Sequence, residues 1–402
     1  MSPTAPKPSR ADWAYVALFA LWIAGMILPP TLEPAHRDMI QIVALLWPAP
    51  LLLLRGTNQF VIGLAYRQSS ALRYLTVVFV TAITISSALS INQTASFRYA
   101  AATISGFILC AGVWSCLKWR MQQALVAYAI LSSGFCLYVY FRGESVWGRL
   151  TFGAMGHPNY LELVAFGALV CSLAVPFWTL RILLIAINGV VILETQARSC
   201  LIGSAVSLLV YLWCRAGSKR ARVAIVTLAS LMLIVAFGAF QKEITDSLYT
   251  LLYLHNRDRG IESGFTGRVA AWQEAYDIFK ANPAFGIGLR QHEQFMTTLS
   301  SAHNGYLSML ADCGIAGLLT AIALIATCGW RLMAISRTGH RMPMIGLAFV
   351  SGYLFIAIFE RYLINFGSPT SLLVWIFLLM PHGRRRAVAQ VVPFDRETLE
   401  EA

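Results

Sequence analysis

The chain has few charged residues. Only 12% of its 402 residues are Asp, Glu, Lys or Arg, whereas soluble domains carry roughly 25%. Hydrophobic residues make up 57% of the chain, and its mean hydropathy is +0.64. Because this deficit extends along the whole length, the composition excludes an ordinary soluble enzyme and predicts an all-α polytopic membrane protein.

Several motifs of metal and nucleotide chemistry are also missing. The sequence contains no Cys-x-x-Cys, Asp-x-Asp or His-Glu-x-x-His pattern, and no glycine-rich phosphate loop follows a strand. We therefore expect no metal ion, no cofactor and no nucleotide hydrolysis. The eight cysteines lie mostly within apolar runs, and we interpret them as small buried hydrophobic residues.

The apolar runs are long enough to predict about twelve membrane spans, since about 20 apolar residues cross the hydrocarbon core. The first run ends in Leu28-Pro29-Pro30 without a small-x-small cleavage site, so we interpret it as an uncleaved span, with a signal peptide as the alternative. The predicted spans are 12–30, 38–54, 72–91, 98–117, 122–141, 158–176, 178–194, 199–214, 222–240, 304–330, 343–362 and 368–381.

The basic residues predict the orientation of these spans. With both termini cytoplasmic, 19 of the 31 Lys and Arg residues lie on the cytoplasmic side, and six of the other 12 fall in one long loop. The net charge of +12 is thus a topology signal and indicates no nucleic-acid partner. The predicted regions are spans one to nine (1–240), a far-side loop (241–303), spans ten to twelve (304–383) and a cytoplasmic tail (384–402).

The long loop contains a predicted amphipathic helix from Gly267 to Asn282, with Thr266 as its N-cap and Asn282-Pro283 at its end. Its apolar residues recur at intervals of three and four, and we expect them to pack on the spans or to rest at the membrane interface. They are Val269, Trp272, Tyr276 and Phe279. Spans seven and eight are expected to face each other across residues 194–198.

His303 is the candidate catalytic residue. By the span count it opens the tenth helix, where unpaired N–H groups and the positive end of the helix dipole favour a neutral imidazole able to accept a proton. The alternative is a histidine that caps the helix or lines an interface. Asn304 could hold a sugar hydroxyl or orient the imidazole, and Tyr306 could stack on a sugar.

Three arginines, Arg198, Arg268 and Arg290, are candidate phosphate ligands, because the guanidinium fork matches phosphate oxygens. Arg268 lies in the first turn of the loop helix, where an anionic ligand would relieve its conflict with the dipole. The alternatives are an ion pair between Arg198 and Glu194, four residues apart, and a solvated Arg268.

The start of the sixth span reads Gly156-His157-Pro158-Asn159-Tyr160. It is either a structural entry turn or a source of substrate-positioning residues, His157 and Asn159. Glu162 and Asp312 are acids predicted within the membrane. Each could relay a proton or simply pair with a neighbouring polar group.

These segments, in this order, resemble the O-antigen ligase and polymerase superfamily. The resemblance covers about 160 residues, and one departure is Ala197, where the family's arginine motif usually has serine. It rests on Gly156-His157-Pro158-Asn159-Tyr160, Ala197-Arg198-Ser199, Gly267-Arg268-x-x-x-Trp272, Asn282-Pro283-x-x-Gly286-x-Gly288, Ala302-His303-Asn304-x-Tyr306-Leu307 and Gly314-Ile315-x-Gly317-Leu318.

The resemblance implies a metal-independent glycosyltransferase of the GT-C type in the bacterial inner membrane, with its active site facing the periplasm. The donor would be a glycan on undecaprenyl diphosphate, the acceptor the lipid A-core, and single displacement would invert the anomeric centre. Alternatives are an O-antigen polymerase, whose acceptor is a lipid-linked repeat, and, from other classes, a transporter or flippase or a non-catalytic scaffold. Membrane lipid is the remaining expected partner, and the oligomeric state stays open.

The resemblance also assigns the residues. His303 would be the base, and Arg198, Arg268 and Arg290 would bind the diphosphate. Substrate-positioning roles would fall to Asn304, Tyr306, His157, Asn159 and Glu194.

Overall fold

A computed structural model describes residues 10–27, 70–117, 120–146, 148–152, 158–196, 198–218, 267–361 and 363–380, with a few positions between 220 and 227. The described part is helical apart from one short hairpin. Its elements are α1 (Arg10–Ile27), α2 (Ser70–Ala88), α3 (Gln93–Leu117), α4 (Met121–Arg142), β1 (Glu144–Val146), β2 (Arg149–Thr151), α5 (Pro158–Ser172), α6 (Trp178–Glu194), α7 (Arg198–Arg215), α8 (Arg268–Ala281), α9 (Gly305–Ser336), α10 (Arg341–Ile356) and α11 (Pro369–Leu378), with a 3-10 turn at His292–Gln294.

Ten of the predicted spans coincide with a helix, whereas the span at 38–54 and nearly all of the span at 222–240 lie outside the described residues. Within the described part, three helices are both long and apolar enough to cross a membrane, namely α2, α4 and α9. The described cysteines are free, and most are buried, as expected from the sequence. The count of twelve spans stays a prediction.

Helix α5 forms the centre of the fold. Every one of its residues is buried, and it packs against α4, α6, α7, α10 and α11. Helix α7 packs most extensively on α10, where Gly203 and Gly352 let the two backbones approach, since a methyl group on Gly203 would meet the side chain of Ile356. This packing places the start of α5, the start of α7 and the end of α10 next to one another.

Helices α6 and α7 do not pair along their length as a hairpin. Helix α6 packs on α4 and α5, whereas α7 packs chiefly on α10, and the two contact each other far less. The expectation that these two spans face each other is therefore wrong. Each of the two helices packs chiefly on other helices.

Helix α9 is interrupted at Gly314, whose backbone has φ 64° and ψ −166°. The segment 283–288 fills the gap: the N–H groups of Ile287 and Gly288 donate to carbonyls of α9 at 3.2 and 2.9 Å, and Ile315 N–H donates to the Pro283 carbonyl at 2.9 Å. These bonds satisfy backbone groups that the break would otherwise leave unpaired. The end of the long loop is thereby fixed to α9.

Helix α8 in the long loop matches the predicted helix closely. It begins after Gly267, a left-handed residue with φ 74° and no side-chain cap, and it ends at Ala281 with Asn282 as its C-cap. Thr266, the predicted N-cap, lies outside the described residues.

The buried face of α8 differs from the predicted one. Ala271 and Ala275 are buried, whereas Val269 and Tyr276 are 51% and 44% exposed. Packing of the whole apolar stripe on the spans is therefore wrong, because the small alanines give the closer approach to α9. Contact of the stripe with the membrane interface stays a prediction.

Candidate active site

Four separate segments meet at Glu360, which lies four residues beyond the end of α10 and is only 1% exposed. Its Oε1 atom accepts hydrogen bonds from Asn159 Nδ2 at 2.9 Å and from Arg268 Nη2 at 3.2 Å. Asn159 belongs to the first turn of α5, and Arg268 is the first residue of α8. One carboxylate oxygen is thus held by two donors.

The other carboxylate oxygen faces His303. Glu360 Oε2 lies 3.8 Å from His303 Nδ1, about 1 Å longer than a charge-assisted hydrogen bond. Both atoms are buried, and within the described part of the chain neither has a hydrogen-bond partner. The His303 and Arg268 side chains remain 19% and 22% exposed, so both can meet a ligand while Glu360 stays behind them.

The Glu360 carboxylate is surrounded by groups that donate hydrogen bonds or carry positive charge, with Asn159 and Arg268 at Oε1 and His303 near Oε2. The site therefore contains a buried carboxylate directed at a partly exposed imidazole.

His303 lies just outside α9. The helix begins at Gly305 with Asn304 as its N-cap, so the expectation that His303 occupies the first turn is wrong by two positions. His303 instead adopts a left-handed backbone with φ 45°, which is uncommon for a non-glycine residue and costs about 1–3 kcal/mol. Such outliers are found preferentially at functional sites, and here the conformation accompanies the approach of the ring to Glu360.

Asn304 and Tyr306 have structural contacts. Asn304 Oδ1 accepts hydrogen bonds from the backbone N–H groups of Tyr306 and Leu307, each at 3.0 Å. The Tyr306 hydroxyl donates to the Leu354 carbonyl of α10 at 3.1 Å. Asn304 therefore caps α9 and Tyr306 ties α9 to α10. Their roles toward a sugar stay predictions.

Arg198 and Arg268 concentrate positive charge beside the carboxylate. Arg198 is the first residue of α7, is partly buried, and lies close enough to Arg268 for the two charges to repel each other. An anion between two such arginines would remove this repulsion. Glu194 is exposed at the end of α6, and His157 lies outside the described residues.

Arg290 belongs to a second group of side chains, which we call the Glu293 cluster. Arg290 and Arg361 both bind the Glu293 carboxylate, at 3.3 and 3.1 Å, and the Arg290 guanidinium lies 4.5 Å from the Tyr99 ring centre. The sequence predicted Arg290 and Arg268 as members of one set of phosphate ligands. In space, their described ion pairs are with different carboxylates.

Asp312 binds the loop end to α9. Its carboxylate accepts from the backbone N–H groups of Arg290 and His292 at 2.8 and 3.0 Å, and it lies 2.8 Å from His292 Nδ1. Of the two interpretations open from the sequence, a relay or a paired acid, the contacts favour the paired acid.

Neither Glu360 nor Arg149 was among the site residues predicted from the sequence. Arg149 binds Asn159 at 3.0 Å and lies 3.5 Å from Glu162, so Glu162 is also a paired acid. The available signal for Glu360 was its position inside the predicted span 343–362, since ionisable residues at membrane depth are often functional. Within the described ranges, no group of three His, Cys, Asp or Glu residues could hold a metal ion.

Comparison with known proteins gives one family match. Residues 182–322 match the family model described as O-antigen ligase, a region that runs from α6 into α9 and includes Arg198, Arg268 and His303. A search of curated proteins finds no match. The matched region covers about a third of the chain, and over that region the chain is similar to O-antigen ligases.

Proposed function

We propose that this chain is a membrane glycosyltransferase that moves O-antigen glycan from undecaprenyl diphosphate to the lipid A-core in lipopolysaccharide assembly. It would be a GT-C enzyme of the inner membrane, with both termini cytoplasmic and its site facing the periplasm. The family match supports ligase- or polymerase-type activity. The observation that carries the proposal further is the His303–Glu360 pair beside Arg268.

In this scheme His303 is the general base. Its Nδ1 atom faces Glu360, which leaves Nε2 for the acceptor hydroxyl, as in other carboxylate-oriented histidines. Nε2 takes the hydroxyl proton while the hydroxyl oxygen attacks the anomeric carbon of the donor. Glu360 stabilises the imidazolium that forms. A contraction of about 1 Å on substrate binding would complete the His303–Glu360 hydrogen bond, since catalytic bonds are often long before the substrate arrives.

Arg268 and Arg198 would bind the leaving group. As the bond between the anomeric carbon and the diphosphate oxygen breaks, its electron pair stays on the diphosphate, and fixed positive charge stabilises it. Arg268 is already oriented by Glu360 at 3.2 Å and is partly exposed, so it can contact an anion without rearranging. We propose that these arginines make a metal ion dispensable. Arg290 stays a weaker candidate because its described ion pair is with Glu293.

The first test is His303→Ala in a transfer assay with purified lipid-linked donor and core acceptor. Loss of the base should lower kcat by about 10²–10⁴-fold, while His340→Ala, at the N-cap of α10, should leave turnover near normal. Equal turnover in the His303→Ala variant and the wild type would remove His303 as the base. Activity abolished by EDTA and restored by magnesium would contradict the metal-independent scheme.

Envelope glycolipids from depleted cells separate ligase from polymerase. Loss of a ligase leaves bare core, with long glycan still on the lipid carrier. Loss of a polymerase leaves core bearing at most one repeat, and that result would assign the second candidate function.

A further inference from the structure

Arg149 lies on β2 behind the proposed catalytic pair and is 11% exposed. Its Nε atom donates to the Thr195 carbonyl at 2.6 Å, and its Nη2 atom donates to Asn159 Oδ1 at 3.0 Å. The same Nη2 atom lies 3.5 Å from Glu162 Oε2. One guanidinium group therefore joins the hairpin, the start of α5 and the turn between α6 and α7.

The bond to Asn159 fixes the orientation of an amide. An asparagine side chain accepts through Oδ1 and donates only through Nδ2. Because Arg149 binds Oδ1, the Nδ2 atom faces the opposite way and donates to Glu360 Oε1 at 2.9 Å. A flipped Asn159 would turn its oxygen toward the carboxylate, so Arg149 determines that Asn159 can hold Glu360.

Arg149 also balances charge. Glu162 and Glu360 are both buried and close enough to repel each other, and Arg149 and Arg268 supply the opposing charges. Among the described residues, the other ionisable groups near the two carboxylates include His303 beside Glu360, Arg198 beside Arg268, and the Cys200 thiol near Glu162. Removal of Arg149 would take away the arginine that lies 3.5 Å from Glu162, while Glu360 would keep Arg268 at 3.2 Å.

We propose that Arg149 is a positioning residue for the transfer reaction: through Asn159 it orients the Glu360 carboxylate opposite His303, and its charge offsets that of the neighbouring Glu162. The inference rests on the proposed function. It assigns to a residue outside the matched region 182–322 a role in orienting the carboxylate that faces the base.

The test measures kcat against pH in three variants and compares the acid limb of each profile, which is the pH range over which kcat falls as pH is lowered. Arg149→Gln keeps a hydrogen-bond donor but removes the charge, so the acid limb should move to higher pH by about one unit. Glu162→Gln removes the opposing charge and should move the limb to lower pH. The double variant should return toward the wild-type limb. Arg142→Gln removes an exposed arginine at the end of α4 and should not move the limb.

The outcomes distinguish this inference from the proposed function. Wild-type protein that transfers no glycan overturns the proposed function. If the wild type is active, two results overturn the role of Arg149 alone. One is an Arg149→Gln variant whose kcat profile keeps the wild-type acid limb. The other is a double variant whose loss of kcat is merely the sum of the losses in the two single variants. If Arg149→Gln does not accumulate in membranes, Glu162→Gln decides, because a limb that fails to move to lower pH also overturns the inference.

Discussion

At the scale of the residue, the site is organised by the two oxygens of Glu360. Two donors hold Oε1, and the remaining oxygen is directed at His303 Nδ1, 3.8 Å away. Burying a carboxylate is costly unless it is paired and hydrogen-bonded, so the neighbours of Glu360 both stabilise the charge and determine its direction. The buried charge is then available to a single partly exposed imidazole.

Glu360→Gln keeps the shape of the side chain but removes its negative charge. We expect kcat to fall by roughly 10²-fold or more, because a neutral amide neither stabilises the imidazolium nor holds its tautomer. Glu293→Gln is a matched control, since Glu293 also binds two arginines but faces a different group. The measurement is kcat against pH for both purified variants. Similar profiles for Glu360→Gln and Glu293→Gln would contradict the pairing of His303 with Glu360.

Residue patterns predicted part of this site. His303, Arg268 and Asn159 were candidates from local motifs, and the structure brings all three to Glu360. Glu360 itself was not predicted, because its partners come from segments about 60 to 200 residues away in the chain. Arg290 and Arg268 were predicted to act together, but they bind different carboxylates. Closeness in the sequence does not determine which carboxylate an arginine side chain reaches.

At the scale of the element, the break in α9 determines where the long loop can lie. The bonds between 283–288 and the helix, together with Asp312, hold the chain that leads into His303. Gly286 and Gly314 both have positive φ and lie against backbone of the opposite segment. The sequence marked these glycines as a motif, but the interruption of α9 depends on long-range backbone pairing that periodicity does not report.

Gly314→Ala should destabilise the protein strongly. The added methyl group would meet the Ala284 carbonyl, and a non-glycine residue in this backbone region costs about 1–3 kcal/mol before any clash. Gly329→Ala is the matched control in the same helix, because a methyl group there meets nothing within 4 Å and should stabilise by roughly 0.5–1 kcal/mol. Thermal unfolding in detergent measures both, and equal midpoints would contradict the described break.

At the scale of the whole molecule, the site is assembled from regions on both sides of the family match. Arg198, Arg268 and His303 fall within 182–322, whereas Asn159 and Glu360 lie outside it. Helix α5, at the centre of the bundle, supplies Asn159, and the end of α10 supplies Glu360. The matched region therefore needs the surrounding helices to complete the pair on which the proposed chemistry depends.

The stability of the whole fold should depend on pH through His292. Burial works to lower the pKa of His292, but the Asp312 carboxylate outweighs it and raises the pKa above the ordinary value. A raised pKa in the folded state means that the stabilisation is fully present below the unfolded value, about 6.5. It is lost as pH rises through the folded value.

Wild-type protein should therefore show a falling unfolding temperature as pH rises above about 6.5, measured by thermal unfolding in one detergent at fixed ionic strength. His292→Gln should be less stable at low pH and show a flatter dependence, because it removes the proton that the Asp312 contact favours. His340→Gln, at the N-cap of α10, should retain the wild-type slope. An unchanged slope in His292→Gln would show that the His292–Asp312 contact does not couple protonation to folding.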